Sequence, residues 1–144
     1  VKIYLDNCCL NRPFDDQRII RIRLESEAIK KIFQKFDNND WELIISDISI
    51  FEAEKINAYN RKRIIQLILS KASFHVKINE RIKNRALYFE TNGIKAFDAL
   101  HLASAEEIAD IFLTVDDSFL KRANAVRDIK IRTENPLQWI QEIF

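Results

Sequence analysis

The sequence predicts a three-layer α/β/α fold with a central parallel sheet of four to five strands. Short runs rich in Ile, Val, Leu and aromatic residues alternate along the chain with longer segments of helical periodicity. Those runs are apolar throughout, not alternately apolar and polar, which is the pattern of strands covered on both faces. One glycine and two prolines in 144 residues supply too few turn formers for a many-turned β-sandwich.

The strands are expected at Lys2–Leu5, Leu43–Ile45, Ile111–Val115 and Ile129–Arg132, with Phe74–Ile78 as a short fifth. In Arg18–Phe36, residues Ile22, Ile29, Phe33 and Phe36 recur at helical spacing, with Ala28 and Ile32 beside them. Further helices are expected at Asp47–Asn57, Asn60–Leu69, Glu80–Thr91, Lys95–Ala109, Ser118–Ala125 and Pro136–Ile143. Pro136 suits the first turn of the last one. The pair Asn92–Gly93 suits a left-handed residue that ends a helix.

The chain has room for one domain, residues 1–144. Hydrophobic residues make up 47% and charged residues 31%, a globular balance and not that of a disordered chain. No apolar run approaches the roughly 20 residues of a membrane span. The two cysteines, Cys8 and Cys9, are adjacent and cannot staple a fold, so both are expected in the core of the first connection. No basic-then-apolar leader opens the sequence, so a cytoplasmic location is expected.

The net charge of +1 conceals an uneven distribution. Lys55–Arg85 holds nine basic residues and one acid, Glu80, so this stretch carries +8 against −7 for the remainder. Such a run is either a solvated helical face or a polyanion-binding rim beside a carboxylate site. In the second case Arg61, Lys62 and Arg63 are expected to touch phosphates.

In a parallel sheet the chemistry is expected beyond the carboxyl ends of the strands. Asp6 follows "KIYL" and Asp116 follows "FLTV", with Asp117 beside it. Ser46 and Asp47 follow "LII", and Glu52 lies six residues beyond Ser46. Asp98 falls in "KAFDALHLASA", early in an alanine-rich helix able to approach the sheet closely. Several carboxylates at one place repel, and a hard divalent cation with oxygen ligands removes the conflict. No zinc-type Cys/His spacing, Gly-rich phosphate loop or Ser elbow is present. Asp6, Asp98, Asp116 and one of Glu52 and Glu54 are therefore the candidate catalytic residues. Asp6, Asp98 and Asp116 are the candidate ligands of a hard divalent cation such as Mg²⁺.

Other residues carry simpler readings. Asp117 is expected to cap the helix "SFLKRA", leaving Asp116 to point from the strand end. Asp98 could instead complement a helix N-terminus. Glu52 and Glu54 are two apart on a helix, so only one faces the site, and periodicity does not choose between them. His101, one turn after Asp98, is expected as a buried, hydrogen-bonded packing residue.

The set resembles the PIN-domain family, and within it the ribonuclease toxins of VapBC-type toxin–antitoxin pairs. The resemblance rests on "IYLDNCCLN", "IISDISIFEAE", "FDALHLASAEEIADIFLTVDD" and the terminal strand and helix. It implies a PIN-like fold and Mg²⁺- or Mn²⁺-dependent hydrolysis of RNA by Asp6, Glu52, Asp98 and Asp116, with Thr114 in support. It favours Glu52 over Glu54. It also implies a homodimer and a cognate antitoxin; the lack of a long apolar run sets the expectation of no membrane partner. The chain departs from the pattern after the first acid, where Asn7 and Cys8 replace Ser or Thr followed by Asn. Asn7 can still hydrogen-bond a water or carboxylate of the site. Two other functions compete: a nucleic-acid-binding subunit without catalysis, and a receiver-like phosphorelay module. The second is poorly served by an acid inside a helix.

Overall fold

The computed structural model describes residues 1–144. Five strands form one sheet: β1 (Lys2–Leu5), β2 (Glu42–Ser46), β3 (Phe74–Val76), β4 (Ile111–Leu113) and β5 (Arg132–Glu134). Their order is β3-β2-β1-β4-β5 and every neighbouring pair is parallel. The chain builds outward from β1 through β2 to β3, then returns to place β4 on the other side of β1. The order reverses between β1 and β4, which makes that gap the switch point where such sheets carry their ligands.

Helices fill the crossovers. They are α1 (Asn7–Asn11), α2 (Ile20–Asp37), α3 (Asp47–Glu54), α4 (Tyr59–Leu69), α5 (Glu80–Thr91), α6 (Ala96–Ala105), α7 (Asp117–Ala125) and α8 (Pro136–Ile143), with a 3-10 turn at Arg12–Phe14. The period of two along the strands sorts the core. Ile3, Leu5, Leu43, Ile45, Ile111 and Leu113 face one layer, with Ile29, Ile32, Ile65, Leu69, Trp139 and Ile140 of α2, α4 and α8. Tyr4, Ile44 and Phe112 face the other, with Ile82, Phe89, Ala99 and Leu102 of α5 and α6. Burying each of the larger apolar side chains contributes roughly 1.5–3 kcal/mol. Covering both faces is what lets the strands be apolar throughout.

The four main strands and the expected fifth are all present, and the last is displaced. The ladder to β4 begins at Arg132 paired with Ile111 and runs to Glu134, not over Ile129–Arg132. Ile131 is buried and Ile129 half-buried against the α5–α6 layer, so their apolar character reports burial before the strand starts. The helix expected over Lys95–Ala109 runs from Ala96 to Ala105, four residues short of Ala109. There the bonds tighten to Glu107 N–H with Ser104 O (3.2 Å) and Ile108 N–H with Ala105 O (3.3 Å). The expected Asp47–Asn57 helix likewise stops at Glu54. Gly93 takes the left-handed conformation, φ +87°, after α5.

Short α1 and its 3-10 turn had no counterpart in the expected elements. A buried carboxylate locks this region. Glu25 on α2, 1% exposed, meets Arg12 (3.1 Å) and Arg21 (3.2 Å) and accepts from Asn135 Nδ2 (2.6 Å) at the start of α8.

Candidate active site

Asp6 is the residue that leaves β1, and it is almost completely buried, at 5% exposure. Its Oδ2 accepts from Thr114 Oγ1 (2.7 Å) and from the thiol of Cys8 (3.1 Å). Thr114 lies just beyond β4, and its Oγ1 also accepts from the backbone N–H of Asp116 (3.1 Å). Parallel pairing of β1 with β4 sets Leu5 beside Leu113, so the two acids leave adjacent strand ends. One threonine hydroxyl joins them.

Asp116 itself caps α7: its Oδ1 accepts from Phe119 N–H (3.1 Å). This corrects the expectation that Asp117 is the cap. The helix starts at Asp117 and not at Ser118, which moves the cap back by one residue. Asp117 instead receives a bidentate grip from Arg21 of α2, with both contacts at 2.6 Å. That guanidinium holds the Asp117 carboxyl below its usual range.

Asp98 is the third residue of α6 and is half-buried. Its pKa is pushed up from 3.8 to about 6 by burial first and then by the charge of Asp6, with smaller upward contributions from Asp116 and Glu52 and an opposing one from His101. The helix N-terminus favours a carboxylate there, so crowding by burial and like charge outweighs it. A cleft of about 70 Å³ runs between Asp98 and Asp116, lined also by Ile94, Lys95, Phe119 and Arg122.

Glu52 turns from α3 toward His101, whose Nε2 bonds its Oε1. Glu54 is exposed. The structure thus resolves the orientation that helical periodicity left open. His101 is buried at 0% exposure, as expected of a packing residue, yet it spans two networks. Its Nε2 lies 4.0 Å from Asp6 Oδ1. Its Nδ1 bonds Tyr4 Oη (2.7 Å), which in turn meets Ser46 Oγ (2.6 Å) and Ser49 Oγ (3.2 Å). Burial pushes the Tyr4 phenol up, so its hydroxyl stays protonated.

Asn7 and the cysteines divide differently from expectation. Asn7 Nδ2 donates to Ser49 O (3.1 Å), tying α1 to α3, and bonds no carboxylate. Cys9 is a core residue at 0% exposure, whereas Cys8 is only half-buried and belongs to the Asp6 contacts. Asp47 serves β3: it binds His75 Nε2 (2.6 Å) and Ile78 N–H (2.9 Å).

The basic stretch is partly self-neutralised. Lys71 pairs with Asp37, Arg81 with Glu107, Lys83 with Glu80, and Arg85 with Glu106 and Asp128. Arg61 stacks on Phe14 and donates to its carbonyl (3.0 Å). By contrast Lys95 and Arg122, beside the acids, form no ion pair, and Arg122 is anchored on Gly93 O (2.7 Å).

No three acidic, histidine or cysteine side chains approach closely enough to form a ready-made metal cage. The donors are carboxylate oxygens in excess of any positive charge, and Asp98 registers the crowding. That donor set fits a hard cation bound by one or two carboxylates and otherwise by water. No helix is long and apolar enough to cross a membrane.

No protein-family model matches the sequence, and no curated protein matches it. Solved structures do. VapBC2 from Rickettsia felis, bound to a DNA fragment from their promoter, aligns at TM-score 0.58 and 16% identity over 94% of this chain and 98% of that one. DNA-bound VapBC from Salmonella typhimurium gives the same values. FitAcB from Neisseria gonorrhoeae aligns at TM-score 0.59 and 17% identity over 93% and 97%. Near-complete coverage of both chains at such low identity establishes architecture: this protein has the PIN-like α/β fold found in the VapBC and FitAcB structures.

Proposed function

We propose that this protein is a Mg²⁺- or Mn²⁺-dependent endoribonuclease that hydrolyses RNA phosphodiester bonds and acts as the toxin of a toxin–antitoxin pair. The observation that carries the reading is the convergence of Asp6, Glu52, Asp98 and Asp116 at the β1–β4 switch point, where burial and the charge of Asp6 push Asp98 to about 6. Asp6, Asp98 and Asp116 would hold the cation, one or two of them directly and the remainder through bound water. When bound it lowers the pKa of a water and offsets the charge that develops on the phosphate.

The side chains divide the remaining work. Thr114 keeps Asp6 and the Asp116 backbone in register. Glu52 has Oε1 committed to His101, so Oε2 is the atom left to take the proton of the attacking water. The toxin–antitoxin assignment rests on the fold shared with VapBC and FitAcB. A cognate antitoxin and a homodimer belong to the same proposal.

The test is cleavage of a labelled single-stranded RNA with Mg²⁺ or Mn²⁺, repeated with a chelator and with Asp98→Asn. Cleavage that needs the cation and is lost in the variant is the expected result. RNA that is bound but left intact under all conditions would replace this reading with that of a non-catalytic binding subunit.

A further inference from the structure

We infer that His101 and Tyr4 are positioning residues for the reaction: the buried chain Ser46–Tyr4–His101 orients the imidazole so that its Nε2–H holds Glu52. The inference rests on the nuclease reading above and assigns it two residues outside the acidic set.

The chain is built from four elements. Tyr4 comes from β1, Ser46 from the end of β2, Ser49 and Glu52 from α3, and His101 from α6. Tyr4, Ser46, Ser49 and His101 are each no more than 1% exposed, so no bulk water competes for their hydrogen bonds. The ring of Tyr4 is clamped by stacking on Phe112, with centroids 5.4 Å apart, and meets the imidazole edge-on at 5.6 Å. Ser49 Oγ accepts from Ser46 N–H (3.1 Å), which fixes the serine side of the network. The hydroxyl of Tyr4 is therefore held in place, and with it the Nδ1 edge of the imidazole.

Proton placement follows from the ends of this chain. Glu52 as a carboxylate can only accept, so Nε2 must carry the proton directed at it. Nδ1 then takes the Tyr4 proton or, in the doubly protonated ring, donates to the same oxygen. In both arrangements Nε2–H points at Glu52 Oε1. A glutamate on the last turn of a helix has several rotamers, and this bond selects one. Displacing a reacting group by about 1 Å can cost about 100-fold in rate, so a residue that never touches RNA can matter to the chemical step.

Two substitutions separate the two edges of the ring. A glutamine amide reaches the position of Nε2 and keeps a donor for Glu52, while an asparagine amide reaches only the position of Nδ1 and keeps a partner for Tyr4. His101→Gln is expected to retain kcat within about tenfold of the parent, and His101→Asn to lose about 100-fold. KM for RNA and Mn²⁺ affinity by electron paramagnetic resonance should change little in either. Tyr4→Phe should fall between them. A role in packing alone would make the two His101 variants equal or favour Asn, and that ranking would overturn the inference.

A readout independent of turnover uses imidazole ¹⁵N spectra. The protein has two histidines, and His75, exposed and paired with Asp47, can be assigned by its own substitution. His101 should show a protonated Nε2 whose shift moves in Glu52→Gln. An unprotonated Nε2 would overturn the inference whether or not the parent cleaves RNA. A parent that fails to cut RNA while showing the expected spectrum would instead remove the nuclease reading and leave the His101–Glu52 contact standing.

Discussion

Thr114 donates its hydroxyl proton to Asp6 Oδ2 over 2.7 Å, across adjacent strand ends. The same hydroxyl oxygen accepts the Asp116 N–H, so a single side chain sets the spacing of two acids. Thr114 is 1% exposed, and its loss cannot be made good by bulk water. Thr114→Val should cost about 1–3 kcal/mol, because it leaves a buried acceptor and a backbone donor short of partners. Thr114→Ser should cost less, since it keeps the hydroxyl. Urea unfolding of both variants checks this; equal stabilities for Val and the parent would show that the link is not needed.

Asp98 makes stability depend on pH. Its pKa in the folded protein, about 6, lies above the ordinary 3.8, so the folded state binds its proton more tightly than the unfolded one. That contribution is fully present below pH 3.8 and is lost as pH rises through 6. Asp98→Asn should therefore stabilise the protein at pH 7, by on the order of 1–2 kcal/mol once solvent screening is allowed for. The gain should shrink toward pH 4, while RNA cleavage is abolished. Thermal melts across that range provide the measurement, and a loss of stability at pH 7 would contradict the crowding of the site.

Added Mn²⁺ should raise Tm at pH 7.5 and do so much less at pH 5, where Asp98 is protonated. A bound ligand stabilises by RT ln(1 + [L]/Kd), so an excess of 100 Kd contributes about 2.7 kcal/mol. Asp6→Asn, Asp98→Asn and Asp116→Asn should each reduce the shift, and Glu54→Gln should leave it unchanged. A full shift in all three Asn variants would place the cation elsewhere.

Glu52→Gln should impair cleavage strongly and Glu54→Gln weakly, because only Glu52 meets His101. The two rates measured side by side settle the assignment, with the reverse order moving it to Glu54.

Two groups of cations are candidates to meet the RNA backbone in the proposed reaction. Lys95 and Arg122 border the cleft between Asp98 and Asp116 without an acidic partner. Lys62 and Arg63 lie on α4, also without one, while their neighbour Arg61 is held by Phe14. Replacing Lys95 and Arg122 with Gln should weaken RNA binding and reduce the slope of log K against log salt by roughly 0.7 for each phosphate no longer neutralised. The Arg61/Lys62/Arg63 triple Gln variant should show the same kind of change if α4 also meets the backbone. A slope that responds only to the triple variant would return the phosphate path to the basic stretch.

Much of this was legible from local pattern. Apolar runs ending in Asp6 and at Thr114–Asp116 mark strands and the acids that follow them, because a parallel strand must be apolar on both sides and cannot bury an unpaired charge within it. The small residues around Asp98 likewise mark a helix that packs closely. The displaced β5 shows where that logic stops: apolarity reports burial, and Ile129 and Ile131 are covered without joining the ladder. Helix phase also stops short of a choice between Glu52 and Glu54, since both phases leave one acid on each side of α3. What tertiary structure alone decided is which distant groups meet. Tyr4 reaches Ser46 across 42 positions and His101 across 97, and those contacts depend on β1 lying between β2 and β4 with Tyr4 on the α6 side of the sheet. Periodicity is a property of neighbours along the chain. The register of one strand against another, and with it the link from His101 to Glu52, is set only when the sheet closes and the core is packed.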